Sequence, residues 1–204
     1  MTIILVRHGA TALNIARVLQ PPDTPLNDTG LAQAEAVAQA LVAHRPAALI
    51  SSDMPRALRT AEAIARATGL APFTTELLQE RNFGDLRGQP YDHLGFDPLT
   101  MLAAPPGGES AAAFEQRVAS AFALLVLQRA ALAGPLVVVS HGLVIRAMLA
   151  GPAALNAAQL DGLHIGNTAV TVLAAQAPHA VQELNSTRHL NAAVQDDPRG
   201  LVGG

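Results

Sequence analysis

Residues 3–9, Ile3-Ile4-Leu5-Val6-Arg7-His8-Gly9, carry the reading on which the fold of this chain turns. An apolar run rich in β-branched side chains stops abruptly at an arginine, a histidine and a glycine. A run of that length without alternation predicts a strand buried on both faces. The carboxyl edge of such a strand is where open α/β sheets place their ligands. Arg7 and His8 therefore fall side by side where a buried sheet meets solvent. Gly9 would let the backbone turn sharply or approach a ligand closely. An arginine fork suits phosphate or carboxylate oxygens, and a histidine serves as base or nucleophile near neutral pH. A structural histidine beside a surface arginine would leave the same three letters.

The arrangement occurs twice. Leu136-Val137-Val138-Val139 is a second apolar run, and it ends in Ser140-His141-Gly142 before a helical stretch from Leu143 to Leu149. If the two strands are neighbours in one parallel sheet, both imidazoles lie on one rim within reach of one ligand. The repetition favours a functional pair over two structural histidines.

Composition narrows the classes. The 204 residues fit one domain, expected over residues 1–190, with a polar, Gly-rich tail at 191–204 expected to be flexible. Half the residues are hydrophobic but only 3% are aromatic, so the core must be built from small aliphatic groups. Zero cysteines exclude disulfide and thiolate chemistry and fit a cytoplasmic setting. No segment reads as a signal peptide or a membrane span, so no membrane partner is expected. A formal charge of −3 argues against broad nucleic-acid binding. The chain is compatible with a homodimer.

Strands and helices alternate along the sequence. Strands are predicted at 3–7, 47–51, 136–140, 169–173 and 180–184, the last two as an antiparallel pair at one edge. Helices are predicted at 12–18, from about Asn27 to His44, from Pro55 to Ala67 with Gly69 closing it, at 110–132, and from 143. The second helix should turn Leu31, Ala34, Ala38, Leu41 and Val42 inward, and the fourth Phe114, Val118, Phe122 and Leu125. Residues 77–109, rich in Gly and Pro, read as irregular. The fold class is a three-layer α/β/α domain with a mainly parallel central sheet.

Other charged residues can then be placed. Arg56 falls in the first turn of the helix after the second strand, on the same sheet rim, where helix N-terminal amides favour anions. Arg59 and Arg66, further along, read as solvated. Glu80 stands in the irregular segment, and a site with a nucleophile and cations still lacks a proton donor.

At this point the chain resembles the histidine phosphatase superfamily, in its phosphoglycerate mutase-like branch. Leu5-Val6-Arg7-His8-Gly9-Ala10-Thr11 with Asn14 resembles its signature, and Ser51-Ser52 through Arg56-Ala57 to Thr60-Ala61-Glu62 its second motif. Glu80-Arg81-Asn82-Phe83-Gly84-Asp85-Leu86-Arg87-Gly88 is similar to the segment that holds the acid. Gly107-Gly108-Glu109-Ser110, Val139-Ser140-His141-Gly142 and Gly166-Asn167-Thr168 complete the pattern in family order. The resemblance departs at Gln20-Pro21-Pro22-Asp23, where the family usually carries a Gly near the phosphate. Two prolines there remove two N–H donors.

The resemblance implies a catalytic set of His8, Glu80, His141, Arg7 and Arg56, with Asn14, Arg81 and Gly142 binding substrate. His8 would form a phosphohistidine, and Arg7, Arg56 and a protonated His141 would surround the phosphoryl group. Glu80 would serve as acid and then base, which requires burial to keep it protonated beside cations, under an apolar wall. No cofactor or metal is expected, because no His/Asp/Glu cluster shows ligand spacing. The implied activity is a metal-independent phosphomonoesterase acting on a small phosphorylated metabolite. The alternatives are a mutase built on the same cage, to which Arg81 beside Glu80 would add a carboxylate ligand, and a catalytically dead phosphate-binding module.

Overall fold

The computed structural model describes residues 2–153, 155–191 and 194. Most of the predicted 191–204 tail lies outside the described residues. Strand β1 (Thr2–Arg7) leads through a one-turn helix α1 (Ala12–Ile15) to α2 (Asp28–Val42). Then come β2 (Ala48–Ser52), α3 (Pro55–Thr68) and β3 (Pro72–Thr75). An irregular stretch with four short 3-10 turns precedes α4 (Ala111–Ala130). The chain ends with β4 (Leu136–Ser140), α5 (Gly142–Ala150), α6 (Ala157–Leu160), β5 (Val170–Ala174) and β6 (Val181–Ser186).

The six strands form one sheet in the order β3-β2-β4-β1-β5-β6. The first four are mutually parallel, whereas β5 runs antiparallel to β1 and β6 antiparallel to β5. The central strands alternate between two apolar layers, as the period of two demands. Ile3, Leu5, Leu136 and Val138 pack on α4 and α5 through Phe114, Val118, Phe122, Leu125 and Met148. Ile4, Val6, Val137 and Val139 pack on α2 and α3 through Val37, Ala38, Leu41, Ala57, Ala61 and Ile64. The expected three layers are present, and alanines let the helices lie close to the sheet and to one another. No described helix is long and apolar enough to cross a membrane.

Several boundaries differ from the sequence reading. Helix α1 ends early because Arg17 adopts a left-handed φ of 55°, after which Val18 bridges to Pro90. The inner face of α2 is Gly30, Gln33, Ala34, Val37, Ala38 and Leu41, with Leu31 and Val42 exposed at 38% and 44%. Edge strand β3 was not foreseen. Its Pro72 weakens the pattern, and an edge position tolerates the missing donor. The short helix α6 was also missed.

The α2 difference has a local cause. Ala10 N donates to the buried Gln33 Oε1, and Asn27 N donates to Ala10 O at 3.0 Å. Those bonds seat the start of α2 against the turn after β1. Cβ atoms built on Gly9 or Gly30 would overlap backbone of the other segment. Gly9 therefore also serves a backbone-to-backbone contact with α2. Gly30→Ala is expected to destabilise the protein by about 1–3 kcal/mol, the usual range for overpacking. Urea unfolding monitored by circular dichroism checks this, and an unchanged midpoint would refute the packing account.

Candidate active site

Strands β1 and β4 are paired in parallel with Arg7 opposite Ser140. The residues one step beyond, His8 and His141, therefore leave the sheet at the same level, and His8 N donates to Ser140 O at 2.9 Å. Their ring centroids lie 5.2 Å apart with planes inclined by 58°. Both side chains are fully buried. Two histidines 133 positions apart in sequence (141 − 8) thus share one pocket.

Hydrogen bonding distinguishes the rings. His8 Nδ1 lies 2.7 Å from Gly9 O, and a carbonyl only accepts, so Nδ1 carries the proton. The lone pair of the neutral ring is then on Nε2. The backbone behind is held by Asn167 Nδ2, which donates to His8 O at 3.0 Å, and by Thr168 N, which donates to Arg7 O. His141 Nε2 lies 2.9 Å from Ser52 Oγ at the end of β2. A hydroxyl both donates and accepts, so this contact survives either charge state of the ring. Burial, helped by Arg56, His8 and Arg7, holds His141 well below the usual imidazole range. The unliganded ring therefore favours its neutral form, because the arginines beside it also repel a second proton.

Two arginines line the pocket. Arg7 is fully buried at the end of β1, with one guanidinium nitrogen donating to Ile165 O at 2.6 Å. Arg56 occupies the second position of α3 and is 1% exposed. Its NH1 lies 3.4 Å from both Pro21 O and Pro22 O. The proline loop that lost two N–H donors thus turns carbonyls toward Arg56. Burial lowers the Arg56 pKa to about 10, opposed by Glu80 and assisted by Arg7 and Arg87, so it stays charged at neutral pH.

Glu80 completes the set. It is 4% exposed; Oε1 accepts from Arg81 N at 2.9 Å and Oε2 from Leu143 N at 3.1 Å, in the first turn of α5. Burial raises its pKa against the pull of both amides, Arg56 and Arg7. Leu143 also packs on the apolar cluster of Leu19, Phe83 and Tyr91, which supplies the apolar side. The segment after Glu80 is pinned from below. Asn82 N donates to Glu109 Oε1 at 2.8 Å, and Arg117 pairs with Glu109 at 2.6 Å while donating to Leu77 O and Gln79 O. Gly84, at φ 51°, passes so close to Pro106 O that a Cβ would overlap it. The Gly107–Ser110 motif thus braces the backbone that follows Glu80, and Ser110 caps α4.

The remaining expected residues take varied positions. Asn14 is buried in α1, its Oδ1 accepting from Thr11 N, and Gly142 opens α5 directly after His141. Arg81 holds Glu80 through its backbone, while its guanidinium donates to Met101 O at 2.5 Å and lies 5.1 Å from the Phe83 ring centre. Arg59 is exposed and paired with Glu62, and Arg66 with Glu35, as a solvated reading predicts. Ser52, Thr11 and Gln20 were missed as site residues. Ser52 was legible as the end of β2 on the same rim; Gln20 was legible only as a departure from the family pattern. Among the described residues, no group of three or more His, Cys, Asp or Glu could hold a metal ion.

Fold and pocket together define an α/β protein with a paired-histidine anion site at the carboxyl edge of its sheet. The chain belongs to the histidine phosphatase superfamily, branch 1, whose model matches residues 3–187. It is similar to the glucosyl-3-phosphoglycerate phosphatase of Mycobacterium tuberculosis, 33% identical over 187 residues covering 84% of each chain. It is 42% identical over 95 residues to a Yersinia pestis protein named "Probable phosphoglycerate mutase GpmB", covering 46% of this chain and 44% of the other. Among solved structures, a phosphoserine phosphatase of Entamoeba histolytica superposes with a TM-score of 0.79 at 28% identity, covering 93% of this chain and 99% of that one.

The His141 environment has a measurable consequence. Ring-proton NMR of the ligand-free protein is expected to show His141 neutral at pH 6.5, where an unperturbed imidazole is about half charged. A titration midpoint at or above 6.5 would refute this electrostatic account.

Proposed function

We propose that the protein is a metal-independent phosphomonoesterase that hydrolyses a small phosphorylated metabolite through a phosphohistidine on His8. The observation that carries this is the pair of buried rings at 5.2 Å, flanked by Arg7 and Arg56, with a buried carboxyl whose pKa is raised. The phosphatases among its relatives support the same class. One continuous sheet supports reading residues 1–190 as one catalytic domain. A cytoplasmic setting accords with the absence of cysteine, and light scattering would read the homodimer.

In the first step His8 Nε2 attacks phosphorus, the N–P bond forms and the ester P–O bond breaks. The Nδ1–H bond to Gly9 O supports the positive charge that develops on the ring. Arg7 and Arg56 neutralise the phosphoryl oxygens, the larger part of the work in phosphoryl transfer. An arriving phosphate favours the charged form of His141, whose Nε2–H then donates to Ser52 while the other ring nitrogen faces substrate. Glu80, whose pKa burial raises, gives its proton to the leaving alkoxide. In the second step the same carboxylate takes a proton from water as that water attacks the phosphohistidine, releasing phosphate.

The mutase reading keeps support from the local match to the Yersinia protein. Release of inorganic phosphate from phosphate esters without a priming bisphosphate separates the two. Turnover is expected to survive EDTA and to vanish in His8→Ala. Acid-stable labelling is not expected, whereas an alkali-stable phosphohistidine is expected in wild-type protein. Failure of every ester on a broad panel would favour the dead binding module.

Glu80 sets the pH dependence. Its folded pKa is raised above 4.5, so the acid-requiring step is fast below that raised value and slows as pH climbs through it. Glu80→Gln is expected to lower kcat by about 10²–10⁴ on an alkyl phosphate and to remove the alkaline limb. An unchanged profile in that variant would overturn the assignment.

A further inference from the structure

The loop before β5 wraps the nucleophile from behind. Ile165 O accepts from the Arg7 guanidinium at 2.6 Å, and Asn167 Nδ2 donates to His8 O at 3.0 Å. Thr168 N lies 3.1 Å from Arg7 O and 3.3 Å from His8 O, a donor shared between the two. Arg7 N donates in turn to Ala169 O. The loop therefore holds both the guanidinium of Arg7 and the main chain that carries the His8 ring. Thr168 keeps this pose at φ 54°, in the left-handed region, where a β-branched residue is strained. Such a backbone persists only where its surroundings over-determine it.

Those surroundings come from β6 and the turn after it. Asn185 in β6 accepts from Gly166 N on its Oδ1 at 3.0 Å, and its Nδ2 donates to His164 O. Leu190 is buried and closes a turn through its N–H to Thr187 O at 2.9 Å. That turn leaves Arg188 in solvent and brings the half-buried His189 back to the loop. His189 Nε2 lies 3.1 Å from Thr168 Oγ1, and the same oxygen lies 2.7 Å from Asn167 O. The hydroxyl has one proton, and a carbonyl can only accept. The proton therefore goes to Asn167 O, and His189 Nε2 carries the hydrogen that the Thr168 oxygen accepts.

We propose that His189 is a positioning residue for the nucleophile, its Nε2–H fixing Thr168 so that Thr168 N and Asn167 Nδ2 hold the main chain of His8. The effect passes from the imidazole to the Thr168 hydroxyl, and from the loop to the carbonyl of His8. The His8 ring is aimed by that carbonyl and by Gly9 O, on which its Nδ1 rests. His189 acts through Thr168 and not on the phosphoryl group. The rival is a surface tether that adds stability alone.

This rests on the phosphohistidine reading above, and the ligand-free His8 ring tests it without turnover. The full chain is compared with His189→Phe, which loses the donor, and His189→Gln, which keeps an N–H near the place of Nε2. Circular dichroism and melting confirm that each is folded. In His189→Phe the single-turnover rate on an aryl phosphate, with enzyme in excess, is expected to fall by about tenfold with KM within about twofold of wild type, as for a misaimed reacting group. The NMR resonance of the His8 Nδ1 proton is expected to shift or broaden in the same variant, and His189→Gln to restore both readings. Thr168→Val removes the acceptor, and adding His189→Phe to it is expected to cost little further, because both changes break one bond. An unfolded His189→Phe leaves Thr168→Val to decide by the same readings. A wild-type rate and His8 resonance in folded His189→Phe overturn the proposal, as do a rise in KM alone and fully additive losses in the double variant. Wild-type protein that hydrolyses no ester would sink the phosphatase reading and leave His189 judged on the His8 resonance.

Discussion

The parallel pairing of β1 with β4 is the constraint on which the rest depends. Because Arg7 sits opposite Ser140, the next residue of each strand leaves the sheet at one height. A slip of one position would send every side chain of a strand to the opposite face. That slip is strongly opposed, since both faces are apolar and buried: Ile3 and Leu5 must meet α4 and α5, Ile4 and Val6 must meet α2 and α3. Core packing thus fixes the register, and the register fixes the distance between two rings.

The pocket concentrates opposing electrostatic demands in one buried volume. Arg7 and Arg56 attract an anion, yet they also drive protons from His141 and from Glu80. For His141, burial and the arginines act in the same direction, and the ring rests neutral. For Glu80, burial acts against the cations and outweighs them. One environment therefore shifts two titratable groups in opposite directions, lowering the imidazole and raising the carboxyl.

Much of the molecule exists to hold these groups still. Asn167 and Thr168 grip the carbonyls of His8 and Arg7, Ser52 meets His141, and Glu109 with Arg117 fastens the strand of backbone around Glu80. The Gly-rich motif before α4 is legible in this light. Gly84 and Gly108 let two loops touch backbone to backbone, so the backbone following Glu80 is held by main-chain contacts.

Local sequence determined a great deal. Unbroken apolar runs at 3–6 and 136–139, rich in β-branched residues, specified doubly buried strands, because only a sheet covered on both faces hides such a pattern. The repeated His-Gly at their ends specified a shared rim, and the stripe Phe114, Val118, Phe122 and Leu125 specified the buried face of α4. Tertiary structure decided what depends on neighbours distant in the chain. The inner face of α2 was set by the seating of Gly30 against Ala10, and no periodicity records that contact. The direction in which His141 and Glu80 are shifted depended on how deeply each is buried. A sequence names side chains and their spacing; desolvation and hydrogen-bond partnership arise only when the folded chain closes around them.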